Sequence, residues 1–252
     1  MLKFITMLTL SLFGMLAKGQ EVTETRNVNG FTKIEIKNAE MIYMESDKPS
    51  LKITAEDEEV LTNVRTEIVG NTLRILNKSD YGKVTVYVGA KGVSNFTAGS
   101  GSKIIIENEI KAENVNLVLN SDAIFNGNIT ATGKTTIQAN GQAMFKGKIG
   151  TGVFVGKFKN NARVILCGNT QTATIEASGQ VTCNARNLNA GSLAINAQDD
   201  SKVWIYANDS LTIDVLEDAK VIYNGRPAKV SINPNAIAFN KMLSDHDVSY
   251  NY

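Results

Sequence analysis

Histidine is nearly absent, with one in 252 residues, and cysteine occurs only twice. Together they cannot build a His/Cys zinc cluster, and they leave little material for imidazole acid–base chemistry. Proline is also scarce, with 3 against 20 glycines. No Pro- or Ser-rich linker divides the chain, so one continuous body is expected. An excess of one charge is missing too: Lys plus Arg is 26 and Asp plus Glu is 25, a net +1. Nucleic-acid binding thereby loses its electrostatic driver, and no nucleic-acid partner is expected. A 43% hydrophobic and 20% charged composition is that of a globular chain rather than a disordered one.

Long apolar runs are absent as well. The longest, Phe4 to Leu16, is 13 residues and is broken only by small or hydroxyl side chains. That is short of the roughly 20 residues a membrane span needs. Lys3 precedes it, and Ala17 and Gly19 sit at the −3 and −1 positions of a signal-peptidase site. Residues 1–19 therefore read as a secretory signal cut after Gly19. Removing Lys3 and Lys18 from the 26 basic residues leaves 24 against 25 acidic ones, a net −1. The expected product is a nearly neutral protein exported to the periplasm, the outer surface or the medium. Cys167 and Cys183 would then meet an oxidising compartment, where a disulfide or two free thiols are both open. The register below sets them on neighbouring layers but not stacked, which favours free thiols.

What the sequence does have is a repeat. Apolar triplets at alternating positions are centred on residues 117, 137, 156, 175, 195, 213 and 232, as in Val115-Leu117-Leu119 and Ala173-Ile175-Ala177. The spacings run from 18 to 20. Alternation inside a period of about 19 means strands stacked in layers, each burying its neighbours' apolar face. A second strand in each unit is expected to point inward through Ile105, Phe125, Phe145, Ile165, Cys183 and Trp204. Between units lies a polar column: Asn120-Ser121, Asn140-Gly141, Asn160-Asn161, Ser178-Gly179, Asp199-Asp200 and Glu217-Asp218. These residues tolerate a left-handed backbone, so the column reads as corners rather than as a ligand ladder. Residues 21–98 keep the alternation without the period, and Glu56 to Leu61 is the one short helical candidate. The expected fold is all-β, a right-handed parallel β-helix-like solenoid with about 19-residue rungs over residues 20–240. A polar tail follows at 241–252.

Four stretches carry a resemblance. They are Gly30-Phe31-x-x-Ile34-x-Ile36, the run from Val64 to Ile75, the corner Gly99-Ser100-Gly101-Ser102, and Val221 to Pro227 with Asn224-Gly225-Arg226. In this order they resemble the auto-transporter adhesin head (GIN) domain family of secreted bacterial proteins, over about residues 27–241. The resemblance implies a β-solenoid and a surface-associated role. It brings no catalytic residues. Where that family tends to repeat Ser-Gly-Ser-Gly at later corners, this chain has Asn120-Ser121-Asp122-Ala123 and its equivalents.

The competing class is a carbohydrate-active β-helix enzyme of the pectinase or lyase kind, acting on acidic polysaccharide. It needs clustered carboxylates, or calcium with a basic residue. Asp199-Asp200 with Lys202 is the best local cluster, but adjacent side chains on a strand diverge, so a charged corner is the expected role. Asp80 and Asp122 stand isolated. His246, between Asp245 and Asp247, falls in the polar tail, where a solvated terminus is the plain reading. Asp209-Ser210-Leu211 resembles a short bacterial O-glycosylation sequon. Trp204 and Tyr206 share a strand parity and could form a sugar platform if both faced outward, but the repeat assigns Trp204 to the core. Outward residues such as Asn116, Val118, Thr136, Gln138, Lys157, Lys159, Thr174 and Glu176 make a mixed polar sheet. The expectation is a non-enzymatic, adhesin-like protein presenting a flat face to a polysaccharide or cell-surface protein. No catalytic, cofactor-binding or metal-ligating residue is assigned.

Overall fold

The computed structural model describes residues 21–79, 81–233 and 238–240. The signal segment, the tail with His246, and Asp80 lie outside them. Of the described residues 67% are strand and 2% helix, in one sheet curled into a β-solenoid of about 7 turns. The elements are β1 Val22–Arg26, β2 Lys33–Lys37, β3 Glu40–Glu45, β4 Ser50–Ala55, α1 Glu58–Thr62, β5 Val64–Val69, β6 Thr72–Asn77 and β7 Val84–Ala90. Then come β8 Asn95–Ala98, β9 Lys103–Ile106, β10 Ile110–Ala112 and β11 Val115–Leu119. The long strands β12 Ile124–Asn140, β13 Met144–Lys159, β14 Arg163–Ser178 and β15 Thr182–Ala197 follow. The chain continues with β16 Lys202–Tyr206, β17 Ser210–Val215, β18 Lys220–Asn224, β19 Lys229–Ile232 and β20 Ala238–Asn240.

From β8 onward every ladder is parallel, each strand pairing with its equivalents one turn before and after. Each long strand bends through three faces. In β12 the pairing with β9, β10 and β11 marks the three faces at residues 124–126, 129–131 and 135–139.

The third face follows the predicted register without a slip. Leu117, Ile137, Gly156, Ile175, Ile195, Ile213 and Ile232 are paired in succession. All but Ile232, on the short β19, point into the core. The glycine in this ladder has a packing reason. A Cβ on Gly156 would meet the rings of Phe158 at 2.6 Å and Phe154 at 3.1 Å, so the two aromatic rings fill the volume that isoleucine fills in the rungs on either side.

The first face corrects half of the second predicted column. Its inward ladder is Ile104, Phe125, Phe145, Val164, Cys183, Val203 and Val221, all buried. Ile105, Ile165 and Trp204 belong to the opposite parity, and Ile165 is 49% exposed. Phe125 and Phe145 stack at 5.3 Å with rings 6° apart. Cys183 packs in this ladder and Cys167 lies on the outer side, and both are free thiols. Burial pushes the Cys183 thiol up to about 12, so it stays protonated.

The corners behave as read. Asn38, Ser121, Gly141, Asn160, Gly179, Asp199 and Glu217 all hold positive φ, between 54° and 79°. Their polar groups bond along the axis: the Asn160 amide donates to Asn140 Oδ1 at 2.5 Å, and Gly179 N–H donates to Asp199 Oδ2 at 2.6 Å. Such bonds satisfy groups that the ladder leaves unpaired at each bend.

The amino-terminal part departs from chain order. The β2–β3 rung lies between the rung of β6 and β7 and the rung of β8 and β9. The chain completes that inner rung and then builds the outer one. Beyond it, β4 runs antiparallel on β7, β1 on β4, and β5 on β6. These reversed strands and α1 cover the end of the core, as terminal units of a repeat array must. The helix occupies the predicted site; Asp57 caps it by accepting from Val60 N–H at 2.8 Å, and Val60 and Leu61 are buried beneath it.

Candidate functional site

The first face carries three outward columns, because side chains of equal parity align from rung to rung. One is Met144, Arg163, Thr182, Lys202 and Lys220. Two residues along lies Asn126, Lys146, Ile165, Asn184, Trp204 and Ile222. At the bend into the second face stand Asn128, Lys148, Cys167 and Asn187. A groove of about 640 Å³ runs over the second and third of these columns, from Asn126 and Asn128 to Asn184 and Asn187. A hollow of about 400 Å³ beside Met144, Arg163, Arg186 and Trp204 shares Ile165 and Asn184 with it. The two form one depression along the solenoid axis.

A bulge shapes this depression. Between the pairs Ile165–Asn184 and Cys167–Asn187, strand β15 has one residue more than β14. Such an extra residue bends the strand and re-aims its side chains. Here it carries Arg186 over Trp204, with the guanidinium carbon 5.5 Å from the ring centroid. The contact is a cation–π pair. The Nε of Arg186 is buried and has no hydrogen-bond partner among the described residues.

The predicted acidic cluster separates. Asp199 faces the corner column, accepting from Gly179 and lying against Glu217 one turn on. Asp200 lines an adjoining hollow of about 540 Å³ with Asp218, Lys202 and Lys220, which meets the hollow beside Trp204 at Thr182. Among the described residues no group of three or more His, Cys, Asp or Glu is placed to hold a metal ion. The Asp199 carboxylate pushes the Glu217 carboxyl above its ordinary value, by hydrogen bonding first and charge second. A carboxyl raised in the folded state stabilises the fold below its unfolded pKa, and that gain is lost as pH rises through the folded value. Glu217 is fully exposed, so the effect is small. Asp199→Asn should flatten it: the melting temperatures of variant and wild type should converge in acid and separate slightly above the carboxylate range, with the variant higher.

Sequence reasoning missed Lys146, Lys148, Arg163 and Arg186, and placed Trp204 on the wrong side. Tyr206, on the same parity, is exposed as the platform would require. The sequon residue Ser210 opens β17 and pairs with Ser192 and Lys229. The sampled outward residues of the third face, Asn116 to Glu176, are partly or fully exposed, and Lys157 pairs with Glu176 at 3.5 Å.

The family model described as "Putative auto-transporter adhesin, head GIN domain" matches residues 30–227. The chain belongs to this family. Among solved structures it is similar to a putative adhesin of Parabacteroides merdae ATCC 43184, at 17% identity and TM-score 0.76, over 84% of this chain and 93% of that one. A putative adhesin of Parabacteroides distasonis ATCC 8503 matches at 16% and 0.77, over 85% and 95%. A putative lipid binding protein of the same strain matches at 18% and 0.71, over 88% and 97%. At such identities the likeness is one of fold. A search of curated proteins finds no match. This GIN-domain chain contains no helix, among its described residues, long and apolar enough to cross a membrane.

Proposed function

We propose that this GIN-domain protein is exported through residues 1–19 and acts as a non-enzymatic, adhesin-like binder that presents its first face to a polysaccharide. The observation that supports this is the depression on that face: an open groove with aligned amide, cationic and aromatic side chains repeated at rung spacing, and with no carboxylate in its lining. A groove of this kind can hold an extended polymer in place, and it offers no paired carboxylates for general acid–base cleavage. A cell-surface protein is the other partner the flat face could accept. A glycan array combined with a hydrolysis assay on residues 20–252 tests the reading. Retention without product release supports it. Product release, or retention of protein partners alone, overturns it.

A second reading, cleavage of acidic polysaccharide, is favoured by the contact of Asp199 with Glu217, since a carboxyl raised by a neighbour is a candidate acid. The double change Asp199→Asn and Asp200→Asn decides between them. Asparagine tolerates the left-handed corner and keeps an acceptor for Gly179. Binding and fold should therefore stay within experimental error of wild type. A polysaccharide-cleaving activity abolished by this pair would move the protein into the enzyme class.

A further inference from the structure

We propose that the depression on the first face is a binding site for an anionic glycan, a polysaccharide bearing carboxylate or sulfate groups, lying along the solenoid axis. The inference rests on the reading of the protein as a polysaccharide binder and adds the charge of the ligand and the residues that read it.

The first support is charge. Lys146, Lys148, Arg163 and Arg186 line the depression, and none of them forms an ion pair with a described residue; no Asp or Glu lines it, the nearest carboxylate-bearing hollow being the adjoining one, where Asp200 and Asp218 lie with Lys202 and Lys220. Elsewhere among the described residues eight cations pair with a carboxylate, as in Lys103–Glu40, Arg65–Glu67, Arg74–Glu35 and Lys157–Glu176, and the grooves beside them hold both signs. A chain with balanced charge has thus gathered four uncompensated cations around one groove. Like charges so placed repel one another and are relieved by a bound anion.

The second support is the shelf made by Arg186 and Trp204. Arg186 lies over the indole, and the guanidinium together with the part of the ring it leaves uncovered would offer the C–H face of a sugar ring a surface to pack on. Guanidinium also matches carboxylate and sulfate oxygens in a two-pronged contact. Its Nε has no hydrogen-bond partner among the described residues. A side-on anion that draws the group outward would complete that bond.

The third support is spacing. Rungs repeat at about 4.8 Å, close to the length of one sugar unit in an extended chain. Asn126, Lys146, Ile165, Asn184 and Trp204 stand on five successive rungs. Consecutive sugars would therefore meet an amide, an ammonium, an apolar side chain, an amide and an aromatic ring in turn. Amides donate to and accept from hydroxyls, and the ammonium takes the acid group.

Calorimetric titration of the residue 20–252 protein tests this with oligogalacturonate, a sulfated glycosaminoglycan and neutral dextran, at low and raised salt. Binding of at least one acidic glycan, weakened by salt, with no binding of dextran, is the expected result. The double variant K146Q/K148Q, and R186Q and W204A singly, should each weaken that binding about 10-fold or more. K157Q, on the third face, should leave it unchanged. All these changes lie on the outer side of the sheet, and circular dichroism verifies that each variant is folded.

Binding of dextran as tight as that of the acidic glycans overturns the inference and leaves the polysaccharide reading standing. So does acidic-glycan binding that the groove variants do not alter. Absence of binding to any glycan overturns both. Retention on phosphatidylserine vesicles with no glycan binding also overturns both, and identifies a lipid-headgroup site instead.

Discussion

Ile175→Asp should destabilise the protein by about 4 kcal/mol or more, the largest loss expected from any single change in the ladder. Ile175 is fully buried and sits between Gly156 and Ile195 in the third-face ladder. The substitution removes an apolar side chain from a packed site and places a carboxylate where no donor awaits it. At neutral pH that group must either ionise without a partner or stay protonated at a cost. For a chain of this size the melting temperature should fall by roughly 10 °C or more. Asn140→Asp is the matched control. Asn140 is exposed at a corner and accepts from Asn160. A carboxylate keeps that acceptor, so the change should cost less than about 0.5 kcal/mol. Equal losses for the two variants, measured by thermal melting, would refute the assignment of inside and outside.

Gly168→Ala should cost about 3 kcal/mol although it adds a single methyl group. Gly168 lies at the start of the second face with φ +117°, a backbone L side chains rarely adopt. A Cβ there would stand 1.9 Å from the carbonyl oxygen of Ile149 in the rung before. That oxygen belongs to the backbone, so relief requires the rungs themselves to move apart. The ladder from β13 to β15 would be strained at its bend, and denaturant melts should show a lower midpoint with an unchanged slope. Gly150→Ala is the comparison. It occupies the adjacent rung with no close contact, its nearest neighbour being Thr130 Oγ1 at 3.5 Å, and should be tolerated.

The third face was legible in the sequence because its triplets alternate cleanly and the outward residues between them are mostly polar. The first face was not, because several of its strands are apolar on both sides. Lys202-Val203-Trp204-Ile205-Tyr206 offers either parity, and size pointed to tryptophan. A quieter signal carries the answer. Ser102, Ala123, Ala143, Ala162, Val181, Ser201 and Ala219 are buried, small except for the valine, and two residues before each inward side chain. Counting two from Ser201 gives Val203 and puts Trp204 outside. The bulge at Arg186 left no mark in the spacing strong enough to separate it from ordinary variation between rungs, so the cationic groove was out of reach. The rung order at the amino end was hidden for a related reason: β2 pairs with β6 and β8, far along the chain and out of sequence order, which no local pattern encodes.

The reversed strands at the amino end bear on self-association. A stack of parallel rungs invites a second copy to add another rung, since each open edge is a row of unpaired amides and carbonyls. Here β1 and β5 form that edge, and both are short and charged. Glu24 pairs with Arg26 at 2.7 Å and Arg65 with Glu67 at 2.6 Å. Arg26 also reaches across to donate to the Val64 carbonyl at 2.8 Å and the Thr66 hydroxyl at 2.9 Å. One arginine thus ties the two edge strands together and occupies an acceptor that an incoming strand would need. A parallel rung approaching this end meets antiparallel strands, ion pairs on both edge strands and a carbonyl already in use, so this end is a poor template for head-to-tail addition of a second copy.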